Sequence, residues 1–259
     1  MTTKVLHRRY VALALTAGLA ALSACSPGAA SSGRVITVFA AASLTESFTT
    51  IAVDFERSRQ VRVALVFGPS TELGRQIAAG ADADVYAAAS VSSLHTVTGR
   101  MAGPPTVFAR NRLQLIVPKG NPGRLTNLRD LGPPTKFVQC AVQVPCGETT
   151  QRLLARFDLA DRARPVSYER DVKAVLAKVS LGEVDAGFVY FTDLHAAARG
   201  SASSKISGVH TPDVPEAFTD YPIVAVAGKG ADATAQAFVD YVLSAPGQAV
   251  LTDAGFTAA

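Results

Sequence analysis

Apolar residues in this chain follow two alternating periods. Residues 34–40 are almost continuously β-branched or apolar, the pattern of a buried strand. Leu44, Phe48, Ile51 and Phe55 then recur at spacings of four, three and four, which puts them on one face of a helix. The rhythm repeats. "VRVALVF" (61–67) reads as a strand, and after Gly68-Pro69-Ser70 a helix turns Leu73 and Ile77 inward. "ADVYAAAS" (83–90) and "RLQLIVP" (112–118) read as further strands, the latter closed by Pro118 and the turn "KGNPG".

The second half keeps the pattern. "KFVQCAV" (136–142) is a strand, a loop to Gly147 follows, and Leu153, Leu154 and Phe157 mark a helix. "RPVSYE" (164–169) is extended, Val172, Val175, Leu176 and Val179 form a helical stripe, and "DAGFVY" (185–190) is a buried strand ending in Tyr190 before a short helix. Residues 199–220 are polar with prolines, followed by a strand over 221–227, a helix over about 231–244 and a last helical turn before Gly255-Phe256. Alternating β and α elements predict an α/β fold with mainly parallel sheets, which take their ligands beyond the carboxyl ends of the strands. Neither G-x-G-x-x-G nor G-x-x-x-x-G-K-[ST] is present, so no nucleotide-phosphate loop is expected.

The first residues read as an address. Lys4, His7, Arg8 and Arg9 form a basic flank, residues 10–22 are almost wholly apolar, and Leu22-Ser23-Ala24-Cys25 matches the bacterial lipobox. This predicts a signal peptide over 1–24, lipidation of Cys25 and a flexible spacer over 25–33, so the mature protein sits outside the cytoplasm on a membrane anchor. Removing residues 1–24 discards three basic residues and no acidic one, and the net charge falls from +4 to +1. No dense Lys/Arg stripe follows, and nucleic acid is not expected as a partner.

Cys140 and Cys146 lie six apart in "QCAVQVPCG", in a compartment where disulfides persist, and are read as a bridged loop. A free thiol or a metal pair is the alternative, but the four histidines (His7, His95, His195, His210) are scattered and supply no matching cluster. The same scatter argues against catalysis. No histidine stands near a nucleophile motif and G-x-S-x-G is absent, so no enzyme is expected.

Four strand-to-helix junctions share small or hydroxyl residues: Ala42-Ser43, Pro69-Ser70, Cys146-Gly147 and Asp171-Val172. Each helix start leaves unpaired N–H groups and a partial positive charge, and several aimed at one point make an anion site without any lysine. Capping alone explains any single junction. Asp171 in particular reads as a cap, because a carboxylate aimed at an anion would repel it.

"ITVFAAASLTESF", "GPSTELGRQIAAGADADVY", "VPCG", "RDVKAVLAKVSLGEVDAGFVY" and "DYPIVAV" occur in order, and over residues 34–256 the chain resembles the molybdate-binding proteins of ABC uptake systems. The resemblance implies a type II periplasmic-binding-protein fold. It has two α/β lobes joined by two hinge crossings, lobe I from 34–108 with 221–259 and lobe II from 109–220. It implies that Ser43 and Ser70 each offer a hydroxyl and a backbone N–H, Cys146 and Val172 their N–H groups, and Tyr190 its phenol. Molybdenum enters only inside molybdate or tungstate, with no cofactor. The partners implied are the permease and ATPase subunits of an importer, and a monomer is expected. The same fold with sulfate or phosphate as cargo is the alternative. Two departures stand out: Cys146 replaces a small residue of the family, and Cys140-Ala141 replaces a frequent Asp-Pro.

Overall fold

The first βα unit follows the hydrophobic spacing closely. Strand β1 (Val35–Ala41) runs through a 3-10 turn (Ala42–Leu44) into helix α1 (Thr45–Arg59), and Leu44, Phe48, Ile51 and Phe55 are all fully buried. The computed structural model describes residues 34–200, 205–228 and 233–259. The predicted signal peptide, Cys25 and the spacer over 25–33 lie outside the described residues.

The chain continues through β2 (Arg62–Gly68), α2 (Ser70–Ala78) and β3 (Val85–Ala87), and β1 pairs in parallel with both strands. The third strand is shorter than its apolar run. Ala88 donates to the Pro222 carbonyl and Ala89 to Ser70 Oγ, which takes both out of the ladder with β1. β4 (Thr106–Pro118) is nearly twice the predicted length. Its first part pairs antiparallel with β9 (Phe218–Ala225), which itself pairs antiparallel with β3.

The second half holds β5 (Phe137–Cys140), α3 (Pro145–Arg156), β6 (Ser167–Glu169), α4 (Val172–Ser180), β7 (Ala186–Tyr190) and α5 (Phe191–Arg199). β5 pairs in parallel with β6 and β7, and β7 lies antiparallel to the later part of β4. β8 (Ile206–Val209), inside the segment read as polar, adds an antiparallel strand to β4. α6 (Ala233–Leu243) and α7 (Ala245–Asp253) complete the described chain, α7 being a full helix where a single turn was expected.

The strands follow the path β2-β1-β3-β9-β4-β7-β5-β6 with β8 beside β4. The fold is α/β, as expected, and the sheet is mixed. The parallel units are those the alternation of β and α announces; the antiparallel pairs all involve β4 or β9, whose pairing no local period encodes. Phe48, Phe55, Phe108 and Phe238 pack tilted or edge-on beneath β4 and β9, with ring centroids 5.2–6.1 Å apart.

Cys140 closes β5 and Cys146 lies in the first turn of α3, and the two form a disulfide with Cα atoms 5.7 Å apart. The bridge ties a strand exit to the helix start that follows it. Closing so short a loop contributes about 2 kcal/mol in the chain-entropy model. The double variant Cys140→Ser/Cys146→Ser is expected to lose that amount in urea denaturation, and thiol titration of the unreduced protein should find neither cysteine. Unchanged stability would mean the loop is held by its backbone bonds alone.

Candidate functional site

The parallel strands deliver their chain direction to one place. β1, β2, β5, β6 and β7 each end next to a helix start, so their carboxyl ends gather the first turns of α1, α2, α3, α4 and α5. All five residues predicted for the site, Ser43, Ser70, Cys146, Val172 and Tyr190, line one cavity there, and all five are buried. The cavity is small, about 20 Å³, a size for one compact ion and not for an organic substrate. Ala41 and Ala42 form part of its wall. Their methyl groups take little space and leave the backbone of the turn accessible.

The helix starts are left open. No side chain caps the 3-10 turn before α1, or α2, or α3, so their first N–H groups keep the unpaired character of a helix N-terminus. α4 is capped as expected. Asp171 accepts from the Ala174 N–H at 3.0 Å, and its other oxygen lies 3.4 Å from Arg170 Nε. Its carboxylate is thus engaged by its own helix and by a cation, while the N–H of Val172 is left to the cavity.

Three hydroxyls complete the lining. Ser70 Oγ accepts the Ala89 N–H at 3.0 Å, and the Ser70 carbonyl accepts the Tyr86 hydroxyl at 2.6 Å. Ser43 Oγ lies 2.7 Å from Tyr221 Oη. Tyr190 Oη is fully buried, with only a weak interaction with the Thr149 side chain inside the protein. Burial holds the Tyr190 phenol far above its usual pKa, so it stays protonated and offers a donor. The lining thus presents hydroxyl and backbone donors, with its one carboxylate already engaged.

Behind this wall lies an ion-pair network that the sequence did not reveal. Lys173, next to Val172, sits 3.0 Å from the fully buried Asp193 and 2.8 Å from Glu46 on α1. Asp193 in turn accepts the Tyr190 N–H at 3.1 Å. Tyr221, Asn111, Ala89 and Tyr86 were likewise not singled out as site residues. Tyr221, Ala89 and Tyr86 reach the serines from outside their own helices, Asn111 reaches Tyr221, and none carries a motif.

A larger cavity of about 510 Å³ lies among α1, α5 and α7 and shares only Ser43 with the small one. It holds His195, whereas no histidine lines the small cavity. Among the described residues, no three His, Cys, Asp or Glu side chains group to hold a metal ion. Size therefore does not choose the site; the convergence of donors does.

Residues 36–257 match the family model described as bacterial extracellular solute-binding protein. The molybdate-binding protein ModA of Mycobacterium tuberculosis is 36% identical to this chain over 255 residues, covering 95% of each. The substrate binding domain of a putative molybdenum ABC transporter from Clostridium difficile superposes with a TM-score of 0.65 at 26% identity, covering 88% of this chain and 100% of that one. The sulfate-binding protein SubI of Mycobacterium tuberculosis superposes with a TM-score of 0.75 at 17% identity over 86% of each chain, a likeness of fold alone.

Proposed function

Because this chain belongs to the bacterial extracellular solute-binding proteins, we propose that it captures molybdate outside the cytoplasm and delivers it to an ABC importer. The ion is held by hydrogen bonds alone. Ser43 and Ser70 give hydroxyls and first-turn N–H groups, Cys146 and Val172 give N–H groups, and Tyr190 gives its phenol. The observation that carries the reading is that these five buried residues, from both halves of the chain, share one small cavity whose lining gathers hydroxyl and backbone donors and has its one carboxylate engaged elsewhere.

A donor-only site suits an oxyanion without protons. Hydrogenphosphate carries a proton that needs an acceptor, and leaving it unpaired costs about 1–3 kcal/mol. Molybdate and tungstate share charge and shape, so the same donors hold both; sulfate is smaller and is separated by cavity size. Residues 34–108 with 221–259 form one lobe and 109–220 the other, joined through β4 and β9, and the ion draws the lobes together. Lipidation of Cys25 tethers the protein to the membrane beside its permease and ATPase partners, and the protein works as a monomer.

Isothermal titration is expected to show tight binding of molybdate and tungstate and much weaker binding of sulfate. Ser70→Ala removes one charge-assisted hydrogen bond and is expected to raise the molybdate Kd at least tenfold, and to lower the melting temperature by a few degrees because it leaves the buried Ala89 N–H unpaired. Sulfate saturating at equal affinity, or no heat with molybdate, contradicts the reading.

A further inference from the structure

Ser43 does not reach its cavity as an unconstrained hydroxyl. Its contact with Tyr221 Oη is buried, and on geometry alone either oxygen can donate. The neighbours of Tyr221 bias the choice. Asn111 accepts the Arg112 N–H on its Oδ1 at 3.0 Å, which turns its NH2 toward Thr192 Oγ1 at 2.9 Å and toward Tyr221 Oη at a long 3.5 Å. An amide NH2 has two hydrogens to give and accepts nothing. Tyr221 Oη accepts from Asn111 on one side, which favours sending its own proton to Ser43 Oγ. With that side of the serine oxygen filled, the Ser43 proton is left for the cavity. Ser70 is set the same way by the Ala89 N–H, which can only donate.

We infer that Tyr221 and Asn111 are positioning residues that orient Ser43 as a donor and thereby make the site favour oxyanions without a proton over those that carry one. The inference rests on the oxyanion reading above. Both residues lie on long strands, Asn111 on β4 and Tyr221 on β9. The Tyr221 ring is wedged edge-on against Phe108, Tyr190 and Phe256, with centroids 6.3, 5.9 and 5.2 Å away. The relay is rigid before any ligand arrives. Each bond in such a chain polarises the next, which strengthens the last donor. A bare dianion accepts that donor; hydrogenphosphate meets two serine oxygens that each already accept one hydrogen bond and have their protons turned to the cavity, which makes them poor partners for its proton.

The test is calorimetric titration of the full protein with molybdate and with inorganic phosphate, at mildly alkaline pH where phosphate is the proton-bearing dianion. Wild type, Tyr221→Phe, Ser43→Ala and the double variant are compared. Phe keeps the ring packing and removes only the relay oxygen. Tyr221→Phe is expected to weaken molybdate about tenfold while phosphate binding holds or tightens, so the preference for molybdate falls. In the Ser43→Ala background the same change is expected to do nothing further. Equal weakening of both anions, or the same loss in the Ser43→Ala background, overturns the relay and leaves Tyr221 a packing residue. Should Tyr221→Phe fail to fold, Asn111→Ala keeps the phenol and removes its orienting donor; the preference must fall there too, and an unchanged preference overturns the inference. Wild type that binds no molybdate refutes the oxyanion reading itself, a result distinct from binding with unchanged selectivity.

Discussion

Lys173→Met is expected to destabilise the protein by about 3 kcal/mol at neutral pH, and the loss is expected to shrink as the pH falls. Methionine keeps the apolar stem of lysine and removes the charge. What remains is Asp193, whose side chain is fully buried, facing the Tyr190 N–H and the second carboxylate, Glu46, without their shared cation. In the intact network burial pushes the Asp193 pKa up, and Lys173 with the Tyr190 N–H pulls it partly back. Burial also acts to lower the pKa of Lys173, but Asp193 and Glu46 outweigh it and leave it raised. Without the lysine, the folded protein relieves the buried charge by taking up a proton. At pH 7 that costs about 4 kcal/mol against a carboxyl of ordinary pKa, a ceiling that drops by about 1.4 kcal/mol per pH unit. A raised carboxyl pKa favours the folded state only below that pKa, and the advantage is lost as the pH rises through it. The variant therefore approaches wild type near pH 5 and departs from it toward pH 8. Urea denaturation across that range checks the slope. A defect that is flat, or that grows in acid, would show that Asp193 is not the group left unpaired. Glu46→Gln removes the half-exposed partner and is expected to cost under about 1 kcal/mol.

The network also bears on binding. Lys173 joins the first turn of α4, which presents Val172, to the first turn of α1, which presents Ser43, and to the carboxylate that holds the Tyr190 N–H. Three of the five proposed donors share this one cation as support. None of it was legible in the sequence, where nothing sets Lys173 apart from the other charged residues. The partners of Lys173 lie on two other helices, and no local pattern reports a contact of that range.

Legibility followed locality elsewhere too. The spacing of Leu44, Phe48, Ile51 and Phe55 marked α1, and every one of those side chains is buried. The junctions that hold Ser43, Ser70, Cys146 and Val172 stood out because helix starts have a composition of their own; the ligand roles proposed for them, and Tyr190, came through family likeness. The misses are non-local. The first half of β4, "TVFARN", alternates too weakly to be read alone and is a strand because β9 pairs with it. β8 has only Ile206 and Val209 as buried apolar positions in a polar stretch, and the edge of β4 makes it a strand. Tyr221 was read as the start of a strand, with no sign that its hydroxyl meets Ser43 from the far end of the chain.

Gly147→Ala is expected to weaken molybdate binding more than a hundredfold and to lower the melting temperature by several degrees. Gly147 lies in the first turn of α3, directly after Cys146. A Cβ there would collide with the Ala141 carbonyl and approach the Cys140 carbonyl, both backbone atoms that cannot swing aside as a side chain would. The Cys140–Cys146 disulfide ties the same two segments together, so they cannot separate to make room. Overpacking of this kind costs about 1–3 kcal/mol, or roughly 2–4 °C per kcal/mol in a domain of this size. The larger effect falls on the site, since the only way to relieve the clash is to shift the start of α3. That moves the Cys146 N–H out of line with Ser43 and Ser70, and misalignment of one donor strains the others around a rigid ion. Gly103→Ala is the control, because a Cβ at Gly103 meets open space; it should leave both affinity and melting temperature unchanged. Opening the disulfide in the Gly147→Ala background, with Cys140→Ser and Cys146→Ser, should recover part of the binding by letting the strand exit yield. If Gly147→Ala binds molybdate as tightly as wild type, the start of α3 is not part of the anion site. If it melts lower but its affinity returns no further when the bridge is opened, the clash acts on stability without passing through the Cys146 N–H.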